Sequence, residues 1–136
     1  MFSLTQLQHQ RKWRMLLCVT LLLLMTALIA GCGNDKYVDI VREGNFYSHP
    51  NIKIGKAFDQ FFEDSKWKSF TSDDGRKVVE FTGKCLVLNQ KSKVKIQFIV
   101  KKDETFEVNY ADINGEPMLE IVYSALIDKV MDNYEK

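Results

Sequence analysis

The feature that most constrains the fold is a run in which polar and apolar residues alternate almost perfectly, residues 93–100. Its apolar members are Val94, Ile96, Phe98 and Val100, and its polar members include Lys93, Lys95 and Gln97. Successive side chains of a β-strand point to opposite faces of the sheet, so this run predicts a strand with one dry and one wet face. Such a strand is stable only with neighbours to pair with, and the run therefore predicts a sheet.

Alternation on both sides of this run supplies the neighbours. Residues 77–88 and 105–113 each predict a strand, and residues 67–71 predict a shorter one. Between 67–71 and 77–88, Ser72-Asp73-Asp74-Gly75 carries residues that a tight hairpin turn requires. Because all three connections are short and polar, we expect adjacent antiparallel strands, which together form a four-stranded meander.

The inward face of the outer strands follows from the same alternation. In residues 77–88 the predicted inward residues are Val79, Phe81, Cys85 and Val87. In residues 105–113 they are Phe106, Val108 and Tyr110, and Glu107 and Asn109 point outward. Gly83 suggests a bulge within its strand, and a bulge would turn Leu86 and Leu88 inward instead. The register after Gly83 is therefore left open. On the wet face, Lys93 and Lys95 are expected to pair with Glu107 and Glu80.

Two helices are predicted ahead of the sheet. The first covers Lys36–Glu43, begins after the capping pair Asn34-Asp35 and ends at Gly44. Its apolar face consists of Tyr37, Ile40 and Val41. The second covers residues 54–62, with Asn51 as its cap. Its apolar stripe consists of Ile54, Ala57, Phe58 and Phe61.

A third helix, residues 118–134, is predicted after the sheet, with Pro117 in its first turn. Its apolar stripe consists of Leu119, Val122, Leu126 and Val130, with Ile121 and Ala125 beside it. We expect this helix to pack on the dry face. The predicted fold class is therefore α+β: two N-terminal helices, a four-stranded antiparallel meander and a C-terminal helix on one face of the sheet.

A segment with a different composition precedes this domain. Residues 1–14 end in a basic cluster, and residues 15–30 form an apolar run of 16 residues without a charge. A membrane-spanning helix needs about 20 apolar residues, and the order basic, apolar, small is that of a secretory signal. An uncleaved anchor helix and a signal peptide cut elsewhere are the alternatives. Translation from Met15 would remove the basic cluster, so we take Met1 as the start.

The end of that run, Ile29-Ala30-Gly31-Cys32, resembles the lipobox of bacterial lipoprotein signal peptides. The resemblance implies that Cys32 is diacylated, that residues 1–31 are removed, and that residues 32–136 remain as one lipid-anchored domain. Gly33 stands where inner-membrane lipoproteins of enterobacteria carry aspartate. This implies the periplasmic face of the outer membrane in a Gram-negative host, and otherwise the outer face of the cell membrane.

Charge and cysteine content narrow the function of the remaining chain. Loss of Arg11, Lys12 and Arg14 with the leader changes the formal net charge from +1 to −2. We predict no nucleic-acid partner, because such proteins need a basic face that replaces phosphate counterions. Cys85 is then the one cysteine without a lipid and cannot form an internal disulfide. We interpret it as a small buried hydrophobe, and a nucleophilic or redox thiol is the alternative.

The remaining candidate residues do not indicate catalysis. His49 is the one histidine after cleavage, and we interpret it as a solvent-facing loop residue, with a catalytic or metal role as the alternative. One histidine and one cysteine cannot build the usual zinc sites, so we predict no metal, no cofactor and no enzyme activity. A converging pair of carboxylates would be the exception. An anionic lipid is the alternative partner for the following lysines: Lys91, Lys93, Lys95, Lys101 and Lys102.

Two further resemblances concern the domain itself. Ile54-Gly55-x-Ala57-Phe58-x-x-Phe61-Phe62, then Trp67 and Val78-Val79-Glu80-Phe81-Thr82-Gly83, resemble small uncharacterised bacterial lipoproteins. The element order resembles the β-lactamase inhibitor protein and the small lipoprotein of the β-barrel assembly machinery. These resemblances imply a non-catalytic lipoprotein that contacts an envelope protein. The alternative is an inhibitor or immunity-type protein that binds a toxin or cell-wall hydrolase.

Overall fold

The structure, a computed structural model, describes residues 35–136; the predicted leader and Cys32 lie outside the described part. Its helices are α1 (Lys36–Glu43), α2 (Ile54–Phe61) and α3 (Glu120–Asp132). Its strands are β1 (Glu63–Thr71), β2 (Lys77–Val87), β3 (Gln90–Val100), β4 (Phe106–Ile113) and β5 (Glu116–Pro117). The predicted α+β class is confirmed.

The strands of the described residues form one antiparallel sheet in the order β1-β2-β3-β4-β5, which is the predicted meander with a short fifth strand added. The phase of β3 is confirmed, because its apolar residues are buried and Lys93 is exposed. β1 begins at Glu63, earlier than the predicted start at Trp67. The sheet buries one face against the helices, and the core lies between these two layers.

Gly83 does not cause a bulge. β2 and β3 pair without interruption through Gly83 and Val94, so Leu86 and Leu88 stay outward and the alternative register is wrong. A β-carbon on Gly83 would lie 2.7 Å from Cβ of Phe62, which explains the glycine by close packing of α2's end on the sheet.

The register shifts lie in the neighbouring strands instead: one in β1 between Glu63 and Lys66, opposite Gly83, and one in β4. Gln97 is opposite Tyr110 and Phe98 is opposite Val108, so Asn109 is the extra residue. Beyond it the faces exchange, so that Ala111 is buried and Tyr110 lies on the polar face beside Gln97. The prediction that Tyr110 points inward was wrong for this reason.

Asp35 precedes helix α1, and its side chain caps the N-terminus of the helix as predicted. Oδ1 of Asp35 accepts from the backbone N of Tyr37 at 3.1 Å, and Oδ2 accepts from Oγ of Ser69 in β1 at 2.6 Å. The helix buries Val38 and Val41, whereas Tyr37 is only half-buried. The predicted face is thus rotated slightly towards Val38.

Loss of the Asp35 carboxylate should destabilise the domain. The hydrogen bond from Ser69 and those from the helix N-terminus hold the pKa of Asp35 below its usual value. We expect Asp35→Ala to lower the free energy of unfolding by about 1 kcal/mol at neutral pH. A lowered pKa stabilises the fold above the unfolded-state pKa, and this contribution is lost as the pH falls below about 4.

Urea unfolding at neutral and at strongly acidic pH measures both effects. The matched control is Asp39→Ala, which removes an exposed carboxylate from the same first turn and should cost only a few tenths of a kcal/mol. A difference between Asp35→Ala and the wild type that persists unchanged in acid would contradict this role of the carboxylate.

Helix α2 supplies the centre of the core. Its residues Ile54, Ala57 and Phe58 are buried as predicted, and Phe61 is half-buried. The residue before its first turn is Lys53, which makes no side-chain cap, so the predicted cap at Asn51 was wrong.

Helix α3 begins later than predicted and uses another face. Pro117 belongs to β5, where it pairs with Asp112, and the helix starts at Glu120. The buried residues of α3 are Ile127, Val130 and Met131, whereas Leu119 and Val122 of the predicted stripe are exposed. The C-terminal half of α3 therefore packs into the core on the dry face of the sheet, whereas the N-terminal turn of α3 does not.

Candidate functional site

The polar face of the sheet gathers lysines from three strands, because strand register places them in rows. The rows are Lys84 with Lys93, then Lys66 with Thr82 and Lys95, then Lys68 with Glu80 and Gln97. We call the lysines of these rows the lysine face: Lys66, Lys68, Lys84, Lys93 and Lys95. Adjacent strands lie about 4.8 Å apart, so these ammonium groups share one small area.

Glu80 lies at the centre of this face and is nearly buried, with 8% of its surface exposed. Its Oε2 accepts from Nε2 of Gln97 at 2.7 Å, and its Oε1 lies 3.2 Å from Nζ of Lys68. Burial alone would raise the pKa of Glu80, but the hydrogen bond from Gln97 and the nearby lysines hold that pKa below its usual value. Glu80 is therefore a fixed negative charge at neutral pH.

A second buried carboxylate, Asp112, borders the face at β4. Its Oδ2 lies 3.9 Å from Nζ of Lys95, and its Oδ1 accepts from the backbone N of Gly115 at 3.3 Å. The predicted partners on this face were wrong: Glu80 pairs with Lys68, and Glu107 pairs with Lys101. Glu107 is opposite Ile99 and so lies too far along the strand to reach Lys93 or Lys95. The bulge at Asn109 places Asp112 opposite Lys95 instead.

The lysine face borders a concave space of about 620 Å³. Four of its lysines line this space together with Thr82 and the one carboxylate of Glu80. Within residues 35–136, Lys66 and Lys93 form no ion pair. The space is thus strongly positive, although the predicted mature chain has a net charge near −2.

The strands β2 and β3 extend beyond both of their neighbours. β1 pairs as far as Lys84 and β4 as far as Val94, so residues 85–92 pair only with each other. We call residues 85–92 the projecting ribbon. Leu86 and Leu88 are exposed there, at 72% and 93% of their surface. Leu86 alternates with half-buried Cys85 and so shares the face of the lysines.

The turn of the projecting ribbon holds a leucine in a costly conformation. Leu88 and Asn89 have φ of 48° and 63°, as both central residues of a type I′ turn must. Asparagine and glycine adopt such angles readily, whereas a bulky side chain loses about 1 kcal/mol. Leu88 has nothing to gain from burial at 93% exposure, so the fold does not explain this residue.

His49 is not the solvent-facing residue that we predicted. Its side chain is 16% exposed, and its Nε2 lies 2.8 Å from Oδ1 of Asp132 in α3. Its Nδ1 lies 2.9 Å from Oγ of Ser48. This chain of hydroxyl, imidazole and carboxylate does not line the space beside Glu80. It holds the loop before α2 against α3.

Cys85 is half-buried against the core, as expected for a small hydrophobe. Burial raises the pKa of its thiol, and Lys129 offsets this only in part. A raised pKa keeps the group as a thiol at neutral pH, which does not favour the nucleophilic alternative.

The predicted basic patch of five lysines is not one surface. Lys101 and Lys102 lie in the turn that follows the end of β3, whereas Lys91 and Lys93 lie near the start of β3. Lys91 pairs with Glu63. A cavity of about 670 Å³ near Lys101 is a separate basic space. Lys36 and Lys101 there pair with Glu104 and Glu107, and the other basic residues of its lining are Arg76, Lys77 and Lys102.

Residues 35–136 contain no cluster of metal-binding side chains, and no helix there is long and apolar enough to cross a membrane. Comparison with protein-family models, curated proteins and solved structures found no match to this chain. The predicted attachment residue Cys32 remains a prediction.

Sequence reasoning missed the lysine face because it assigned no strand to Lys66. The signal was present: Lys66 and Lys68 alternate with Trp67 and Ser69 in the same way as the residues of β3. Extending that strand by one pair would have placed both lysines on the wet face.

Proposed function

We propose that this protein is a bacterial lipoprotein, anchored through acyl chains on Cys32, whose domain binds a protein in the cell envelope and catalyses no reaction. The sequence Ile29-Ala30-Gly31-Cys32 supports the anchor. Each buried methylene contributes about 0.8 kcal/mol, and two chains give stable attachment. The observation that carries the protein-binding part is the exposed, strained Leu88 on the projecting ribbon.

The position of the projecting ribbon suits a partner away from the membrane. Only Gly33 and Asn34 lie between Cys32 and Asp35. The three Cα–Cα steps from Cys32 to Asp35 reach about 10 Å at most. Ser69, which donates a hydrogen bond to Asp35, is paired with Val79 of β2. Leu88 follows Val79 by nine residues along the direction of β2. At 3.4 Å per residue the tip is about 30 Å from the anchored end. Leu86 and Leu88 would therefore face the envelope space.

A substitution at the turn separates stability from binding. We expect Leu88→Asn to raise the free energy of unfolding by about 0.5–1 kcal/mol, because asparagine relieves the turn. The same change should abolish capture of the partner, since the apolar contact is lost. Urea unfolding and cross-linking in intact cells, followed by mass spectrometry, measure the two effects.

The matched control is Tyr47→Ser, which removes a fully exposed aromatic side chain far from the projecting ribbon in sequence. It should leave the cross-linked partners unchanged. If Leu88→Asn and wild type yield the same partners in equal amounts, the projecting ribbon is not the contact and the proposal fails.

The second candidate is an inhibitor or immunity-type protein, and the shape of the projecting ribbon favours it. A two-stranded tip with an exposed leucine at its end suits insertion into an enzyme cleft. The candidates differ in their partner. An inhibitor would capture a toxin or cell-wall hydrolase and abolish its activity at equal concentration, and Leu88→Asn would restore that activity. An interaction module would capture a resident envelope protein.

A further inference from the structure

We propose that the lysine face docks an acidic segment of the partner protein, one that presents several aspartate or glutamate side chains along one side. This inference rests on the protein-binding part of the proposed function and names the chemistry of the partner. It concerns the three strands β1, β2 and β3, and it does not depend on how the chain reaches the membrane.

The charge of the lysine face is not balanced within the domain. Lys84 and Lys93 are directly opposite each other on β2 and β3, and like charges in that arrangement repel. Lys84 contacts Asp64, but Lys66 and Lys93 form no ion pair within residues 35–136. An anionic occupant of the space between them would relieve this repulsion.

The dimensions of the face fit a polypeptide segment and exceed a small anion. Lys68 is paired with Glu80, and Lys93 is paired with Lys84. Glu80 and Lys84 are four residue steps apart on β2, so these two rows are separated by about 13 Å. Across the strands, β1 and β3 lie about 10 Å apart. Alternate carboxylates on an extended chain lie about 6.8 Å apart, which is the spacing of Lys66 and Lys68.

Two features favour a protein over a membrane surface. Four lysines line a half-open concave space together with the buried carboxylate of Glu80, whereas the surface of a bilayer is flat and would contact protruding side chains first. Lys84, which is paired with Lys93, also follows Val79 by five residues on β2, in the direction away from Asp35. That is about 17 Å from the end at which the anchor would hold the chain.

The projecting ribbon continues the same face. Leu86 follows Lys84 by two residues and is directly opposite Lys91. An occupant of the lysine face therefore meets an exposed leucine at the end of the lysine rows. The partner segment should accordingly carry an apolar residue beside its acidic ones.

Fluorescence anisotropy of a labelled peptide of alternating glutamate and serine, titrated with the full-length protein in neutral detergent, tests this proposal. We expect saturable binding that weakens as salt is added. The double variant Lys66→Glu with Lys93→Glu should raise the dissociation constant about tenfold or more, which corresponds to about 1.4 kcal/mol. The milder pair Lys66→Gln with Lys93→Gln should give a smaller change in the same direction.

The matched control is Lys56→Glu with Lys136→Glu, which makes the same charge change at exposed positions outside the lysine face. This pair should change the dissociation constant less than twofold. Equal weakening by both double variants would show an effect of net charge alone and overturn the proposal. Failure of the wild type to bind the peptide at low salt would overturn it as well.

The water-soluble headgroup of phosphatidylglycerol, added to the same detergent assay, decides between the two classes of partner. The peptide should stay bound when glycerophosphoglycerol is added. Displacement by glycerophosphoglycerol, but not by chloride at the same ionic strength, would assign the face to anionic lipid and overturn the proposal. Peptide binding is read out in detergent, so a failure here is distinct from a failure of lipid attachment at Cys32.

Discussion

Phe58→Ala should lower the free energy of unfolding by about 3–5 kcal/mol, a large part of the stability of a domain of this size. Phe58 is fully buried on α2 and is the aromatic residue at the middle of the core. Its ring centroid lies between 4.9 and 6.5 Å from those of five others: Phe46, Phe62, Trp67, Phe81 and Phe98. Truncation removes these contacts and leaves a cavity that rigid neighbours on the sheet cannot fill.

Urea unfolding of the purified domain measures this loss. The control is Phe70→Ala on the polar face, where the ring is 39% exposed and Lys68 lies over it at 5.9 Å. It should cost about 1 kcal/mol. If Phe70→Ala proved as costly as Phe58→Ala, the assignment of the dry face would be wrong.

Cys32→Ala should abolish lipid attachment completely. A hydroxyl or methyl side chain offers no sulfur for acylation, so cells fed labelled palmitate should incorporate none into this variant. The chain should also retain residues 1–31, and its apparent mass should increase accordingly, since processing of lipoproteins of this type follows acylation. Lipid labelling and gel mobility read the two effects in one experiment.

Cys85→Ala is the matched control, because it removes the other cysteine of the mature chain and leaves the lipobox intact. It should incorporate palmitate as the wild type does. If labelling disappeared in Cys85→Ala and persisted in Cys32→Ala, the lipid would be attached to Cys85 and the proposal would be wrong.

The strands were predictable where polar and apolar residues alternate. In residues 93–100 only Ile99 departs from the alternation, so a single phase buries Phe98 and leaves Lys93 exposed. The turn between β1 and β2 was predictable because Gly75 readily adopts the positive φ that the turn requires. These signals are local, so a single sequence carries them.

The errors arose where a distant neighbour decides the outcome. Gly83 is a glycine because Phe62 occupies the space of its side chain, and nothing near Gly83 in sequence reveals this. Asn109 forms the bulge without any glycine or proline to mark it. In α3 both sides are apolar, and the packing of its C-terminal half selected Ile127 over Val122.

The lysine face was only partly predictable for a related reason. Lys93 and Lys95 were placed on the wet face from the alternation of β3, but Asp112 is opposite Lys95 only because of the bulge in β4. The strain at Leu88 was not predictable at all, because only the backbone shows that a leucine occupies a turn position suited to asparagine.

Intact mass spectrometry of the native protein, purified from membranes, tests the central claim most directly. The account predicts a chain that begins at Cys32, has 105 residues and carries the added mass of two or three acyl chains. A chain that begins at any other residue, or one that begins at Cys32 without added lipid, would contradict it.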